Sequence, residues 1–433
     1  MLMDRKQSTT VELDSRAKAA LNNALDDLLS DLVAVNQRVD ISEGYRAIDS
    51  FLSGLTKYEP WRSHIRFFDL FETLSFFIKK HGVTADPGIG IKVADALTAN
   101  RYREFRDDLH TYLFSIPRHY QLTVELPSMP RWEAGEVHLT KRLSLIEVSP
   151  QRGANRLADI LTKPSTPVSA RVDGFGYGAG RLDTTAVADA ISHLKQFFYL
   201  FQRIEPYKSA SPAFAVALGE AKLHCEVIDV KYPHESMSVE LPERLRRFFW
   251  TASIDDMKLK HFEPSGRIML GGEFREAKTR DEKASALIEK TNWITNLMDC
   301  SSDWPDAERI RAAAEWSFDS QQNDNETLAF LQACIGLEAL LGDDTKDEPL
   351  TVRLADRCAY LLGKGHKDRA RIRKRFKDMY DIRSKLIHGR SPRLNLPDSQ
   401  QLHFAQAVLG EVITTEARAL LRALAEAEKK RIS

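Results

Sequence analysis

Residues 380–389 read YDIRSKLIHG and set Arg383 five residues ahead of His388, in a helical turn that Gly389 stops at once. Arginine offers a fixed fork of donors to a phosphate on which charge is building. Histidine titrates near neutral pH, so one imidazole can take a proton from a ribose 2′-hydroxyl while a second returns one to the departing 5′-oxygen. Side chains of these two types could therefore cut RNA without a metal or a cofactor and leave a 2′,3′-cyclic phosphate. DNA lacks the attacking hydroxyl and would stay intact.

Spacing alone does not select this pair, because Arg103/His110 and Arg131/His138 are similarly spaced. Context does. Arg131/His138 spans WEAGEV, a turn leading into a strand, and Arg103/His110 lies in a polar helix with no stopping glycine. Only Arg383/His388 is followed by Gly389 and then Pro392. Five residues of helix rotate by about 140°, so Arg383 and His388 do not share one face. A two-fold dimer would bring two arginines and two histidines into one cleft. Gly389 can take the left-handed cap conformation, which would leave His388 at the exposed tip. The alternative for Arg383, Lys385 and His388 is that they complement the negative end of the helix dipole.

Three stretches carry a family likeness: ETLAFLQACIGLEALLG (326–342), TVRLADRCAYLLG (351–363) and FKDMYDIRSKLIHG (376–389). Together, over roughly residues 305–430, they resemble the HEPN superfamily in its Apea-like branch. The resemblance implies a helical bundle that dimerises through the motif helices and acts as a metal-independent endoribonuclease. Proteins of this kind recur in bacterial anti-phage defence and in toxin–antitoxin systems. It also implies roles: Arg383 and His388 as the catalytic pair, Ser384 as their polar helper, and Glu338 and Asp381 as orienting candidates. HEPN toxins controlled by nucleotidylation carry a tyrosine two residues after the histidine; Arg390 stands here, so that control is not expected. The rival is a catalytically inactive HEPN-type scaffold that binds a nucleotide, RNA or a protein.

Just upstream, KGHKDRARIRKRFK (364–377) concentrates positive charge. Arg371, Arg373, Lys374, Arg375 and Lys377 are candidate RNA contacts that would add salt-dependent, sequence-blind affinity. A solvated helix face is the other reading. The run stands out because Lys+Arg and Asp+Glu each total 62, so the net formal charge is zero.

The elements that must position these residues belong to a chain of 433 residues, enough for about three domains. Residues 1–115 read as helical, with leucines at three- and four-residue intervals (Leu21, Leu28, Leu29, Leu32) and phenylalanines expected to fill a core. Alternation takes over near residue 116. QLTVELPSMP, GEVHLTKRLSLIEV, TPVSARVDGFGYG, LHCEVIDVKYP and SMSVELP are strand candidates, and TTAVADAISHLKQFFYLFQRI is a helix opened by a threonine cap. Residues 116–281 thus form a mixed α/β segment, assigned a sensing or restraining role because no catalytic pattern precedes the nuclease motif. From 282 to 433 six helical segments follow one another. The fold class expected is α+β and multidomain, with a helical N-terminal region and an all-α C-terminal bundle.

Within the middle segment GFGYGAG (Gly174–Gly180) has the small residues of a dinucleotide loop. Its flanking strands are not the apolar runs of a buried parallel sheet, so it reads as a flexible glycine turn, with a nucleotide site gating the nuclease as the lesser reading. No histidine or cysteine spacing fits a metal site. Cys225, Cys300, Cys334 and Cys358 are scattered, as free thiols are. The opening residues hold no apolar leader, and no apolar run approaches 18 residues, so a cytoplasmic protein with no membrane partner is expected. Its partners would be RNA, a second copy of the chain, and a trigger acting on the N-terminal regions.

Overall fold

The computed structural model describes residues 13–84, 88–129, 135–147, 166–178, 181–203, 224–231, 236–246, 248, 267–270, 273–276, 279–301, 303–342, 349–395 and 399–432. The chain forms two compact units that interleave in sequence. Met1–Leu122, Asp173–Ala190 and Glu226–Val239 make the first; Thr123–Val172, Ile191–Cys225 and Glu240–Ser433 make the second. The segment 116–281 is thus shared out over both.

The first unit is built on helices α1 (Ser15–Asp31), α2 (Ile41–Leu55), α3 (Trp61–His64), α4 (Phe67–Lys80), α5 (Val93–Ala96) and α6 (Ala99–Phe114). Aspartates start the first two: Asp14 accepts from the Ala17 amide at 2.7 Å and Asp40 from the Ser42 amide at 2.9 Å. Leu21, Leu25, Leu28 and Leu29 line the buried stripe of α1 and pack into a core with Phe51, Trp61, Phe77 and Phe105. Not every phenylalanine fills that core, because Phe68 and Phe76 face solvent.

Strands β1 (Val33–Val35), β2 (Arg38–Val39) and β3 (Ile91–Lys92) form a small sheet within the region expected to be helical throughout. Asn36 and Gln37, at φ 49° and 62°, make the tight turn that joins β1 to β2. Two positive φ values in a row match the right-handed twist of a hairpin.

A six-stranded sheet runs in the order β5-β6-β7-β4-β8-β9. Its strands are β4 (Arg118–Met129), β5 (Val137–His138), β6 (Leu143–Glu147), β7 (Thr166–Gly176), β8 (His224–Asp229) and β9 (Ser236–Glu240), and helix α7 spans Thr185–Gln202. Every strand candidate from the alternating segments is present. β6 and β7 pair antiparallel from Leu143 opposite Val172 to Glu147 opposite Val168. Leu143, Leu145, Val168, Ala170 and Val172 are buried along this pair.

Gly174 and Gly176 correct an expectation: they end strand β7 and are not part of a flexible turn. A Cβ on Gly174 would collide with the carbonyl oxygen of Ala186. One on Gly176, at φ +139°, would strike Thr185 and His64, and one on Gly178 would strike the ring of Tyr120. These glycines therefore let backbone approach protein, and the space beside them is already occupied. Ala179 and Gly180 lie outside the described residues.

In the second unit a hairpin, β10 (Arg267–Leu270) and β11 (Glu273–Glu276), was not anticipated from the sequence. The helices that follow were: α8 (Arg280–Met298), α9 (Pro305–Gln321), α10 (Glu326–Leu341), α11 (Leu350–Leu362), α12 (His366–Ile387) and α13 (Ser399–Ile432). Thr279 and Glu282 form a reciprocal capping box on α8, Pro305 opens α9, and Asn325 caps α10. Phe318, Phe330, Leu337, Phe376 and Leu409 are buried in this bundle. Gly336 admits close packing, since a Cβ there would press on Leu409 and Trp316. The chain is thus a mixed α+β protein with a central sheet region and a C-terminal helical region. Among the described residues no helix is long and apolar enough to cross a membrane.

Candidate functional site

Helix α12 turns one stripe inward. Phe376, Met379 and Tyr380 are its buried residues, and Arg383, three residues further on, continues the stripe toward α10. The Phe376 and Tyr380 rings stack with centroids 5.0 Å apart, and the Tyr380 hydroxyl donates to the Cys334 carbonyl at 3.5 Å. One turn on, Arg383 Nη2 lies 2.7 Å from Glu338 Oε1, and each side chain keeps about a quarter of its surface exposed (24% and 23%). The contacts 334–380 and 338–383 advance together, so α10 and α12 run parallel here.

This environment is dry enough to act on its titratable groups. Burial first, and then the Glu338 carboxylate, pushes the Tyr380 hydroxyl far above the ordinary phenol range. Burial likewise holds Cys334 as a thiol at any physiological pH. The Arg383 guanidinium also approaches the Tyr380 ring, 5.9 Å from its centroid. Arg383 is thus clamped by a carboxylate and an aromatic ring, both supplied by the bundle itself.

The tip of α12 closes as a Schellman motif. Gly389 stands at φ +67°; its amide donates to the Leu386 carbonyl at 3.2 Å, and the Arg390 amide donates to the Lys385 carbonyl at 2.8 Å. His388 is the cap residue, its amide donating to the Ser384 carbonyl at 3.1 Å, and its side chain is exposed. Ser384 and Asp381 are exposed as well. The carboxylate at Arg383 is therefore that of Glu338, while Asp381 faces solvent. Within one chain the arginine points into the bundle and the histidine stands out from it.

The basic run upstream divides by partner. Arg371 pairs with Asp368 at 2.7 Å, Arg373 with Asp356, and Arg375 lies 4.0 Å over the Phe404 ring. Lys374 is exposed and Lys377 half-buried. Lys364 and Lys367 are exposed at the turn from α11 into α12, where Arg369 lies 4.5 Å over the ring of Tyr360. Tyr380 and Tyr360 were not singled out in the sequence. The Tyr380–Arg383 spacing of three was available as a signal; the Tyr360–Arg369 contact crosses a turn and had none.

The comparisons return nothing: no family model, no curated protein and no solved structure matches the chain. Any functional reading consequently rests on these residues and on the resemblance carried by residues 305–430. Chemically, a fixed guanidinium can hold a phosphoryl oxygen and an exposed imidazole can move a proton. They face different ways on one helix, so both reach one phosphate only if a second helix tip supplies the missing group.

Proposed function

We propose that the protein is a metal-independent endoribonuclease of HEPN type, working as a homodimer in the cytoplasm as an effector of bacterial anti-phage defence. The observation that carries this reading is the pairing of a clamped Arg383 with an exposed His388 at a helix tip closed by Gly389. In the dimer two such tips face one scissile phosphate. One His388 accepts the proton of the ribose 2′-hydroxyl as that oxygen attacks phosphorus. The other His388 protonates the leaving 5′-oxygen, and the two Arg383 side chains take up the charge that builds on the phosphoryl oxygens. Ser384, exposed one turn before His388, hydrogen-bonds the substrate backbone. Residues 1–281 are assigned the sensing of a trigger or the restraint of the nuclease.

The test is intact-RNA sequencing after brief induction. Wild type should produce new 2′,3′-cyclic phosphate ends, and His388→Ala and Arg383→Ala should each lower their yield by about 100-fold or more while still sedimenting as dimers. Indistinguishable end maps for wild type and both variants, with trigger present, would remove the enzyme from consideration.

One observation favours the second reading, a non-catalytic HEPN-type scaffold for RNA, a nucleotide or a protein. Arg383, Arg371 and Arg373 already hold carboxylate partners inside the chain, as purely structural arginines do.

A further inference from the structure

Tyr360, near the end of α11, is 70% exposed, the most exposed of the large apolar and aromatic side chains among the described residues. It is not loose. Arg369 donates through Nε to the Gly363 carbonyl at 3.1 Å, which fixes its guanidinium 4.5 Å over one face of the Tyr360 ring. Gly363 makes room for this: a Cβ there would press on the Arg369 side chain. Between the two residues lie Lys364, on the turn, and Lys367, in the first turn of α12, both exposed. One face of the ring is thus braced by a cation, a favourable contact, while most of the residue's surface stays open beside two lysines.

We propose that the Tyr360–Arg369 stack is a platform for an unpaired nucleobase of a single-stranded RNA, with Lys364 and Lys367 neutralising the adjoining phosphates. Base-on-aromatic stacking tolerates any sequence, because every base has a π-face, and lysines beside it supply the backbone charge. The occupant follows from charge. An apolar peptide would be content with the ring but would not call for the lysines, and a duplex hides its base faces inside the stack. From Arg369 to Ile387 is 18 residues of helix α12, about 27 Å at 1.5 Å per residue. A base on Tyr360 would therefore sit several nucleotides from a bond cut at His388, and the enzyme would favour RNA that is unpaired over that span. This inference rests on the RNA-cleaving reading for its distance argument but not for its binding site.

The experiment uses full-length His388→Ala protein, so that RNA stays uncut. Fluorescence anisotropy is read with a labelled single-stranded RNA and with the same sequence as a duplex. Tyr360→Ala should weaken the single strand about tenfold, Tyr360→Phe should bind within about twofold of the parent, and duplex affinity should not move. Lys364→Ala should lower the slope of log K against log salt by about 0.7 on the single strand. Tyr360→Ala binding the single strand as tightly as the parent, or losing the duplex equally, overturns the platform while leaving the nuclease reading intact. Failure of the parent to bind any RNA overturns both. Platform behaviour with no cleavage by wild type would leave the stack standing and the nuclease fallen.

Discussion

At the scale of single residues, Arg383 and Glu338 decide how the site is held. Their contact is an ion pair at 2.7 Å, three-quarters buried on both sides, with Tyr380 closing the inner edge. Partial exposure screens it, so it belongs above the level of surface ion pairs and below that of fully buried ones. A double-mutant cycle over Arg383→Ala and Glu338→Ala, read by urea unfolding, should give a coupling energy of about 1 kcal/mol. Each single change should cost more than the coupling alone, since it strands the other charge against apolar neighbours. A coupling of zero would mean that solution conditions leave the two side chains apart, and Glu338 would then have no claim to orient the arginine.

At the scale of the element, the end of α12 depends on one backbone conformation. Gly389 sits at φ +67°, and a Cβ there would meet no atom within 4 Å. The cost of a side chain is thus purely conformational. Gly389→Ala should lower stability by about 1 kcal/mol, and Gly389→Asn by visibly less, because asparagine tolerates the left-handed region; equal melting of all three proteins would show the cap to be slack. This cap was legible in the sequence, as were the helices after residue 280 and the strands near 122, 145, 170, 227 and 238, because each carries a period long enough to register. β1, β2, β3 and the β10–β11 hairpin run two to four residues, too short for alternation to declare itself. The partner of Arg383 was narrowed only to two candidates, Glu338 and Asp381, for another reason. Glu338 lies 45 residues away, and only packing of α10 beside α12 could choose it over the neighbouring Asp381. Gly174 and Gly176 misled for a third: glycine serves a flexible turn and a strand packed closely on a helix alike, and here it is the second.

At the scale of the whole molecule, buried histidines and partly buried carboxyls pull the response to acid in opposite directions. His193 on α7 is buried with Nε2 3.0 Å from Thr140 Oγ1. That hydroxyl oxygen already accepts the Arg142 and Leu143 amides, at 3.1 and 3.0 Å, so its proton points to His193 and requires an unprotonated ring nitrogen. Burial first, then Arg142 and Arg311, holds the His193 pKa well below the ordinary imidazole value. Burial also lowers His64 and His110, while it raises the carboxyls of Asp299 and Glu416. The signs oppose. A depressed histidine contributes stability that is present above its unfolded pKa near 6.5 and drains away as pH falls toward its folded value. A raised carboxyl destabilises at neutral pH and is relieved as pH falls through its folded value. Total acid sensitivity therefore blurs the two, and a comparison of variants separates them. Between pH 7.5 and 5.5 the wild type should lose about 1.4 kcal/mol more than His193→Gln, in which a neutral amide takes the Thr140 hydrogen bond and cannot titrate. Urea midpoints of the second unit at the two pH values measure this directly. Parallel losses in both proteins would place the proton elsewhere, and would mean that His193 reaches water before the helix it stands on unfolds.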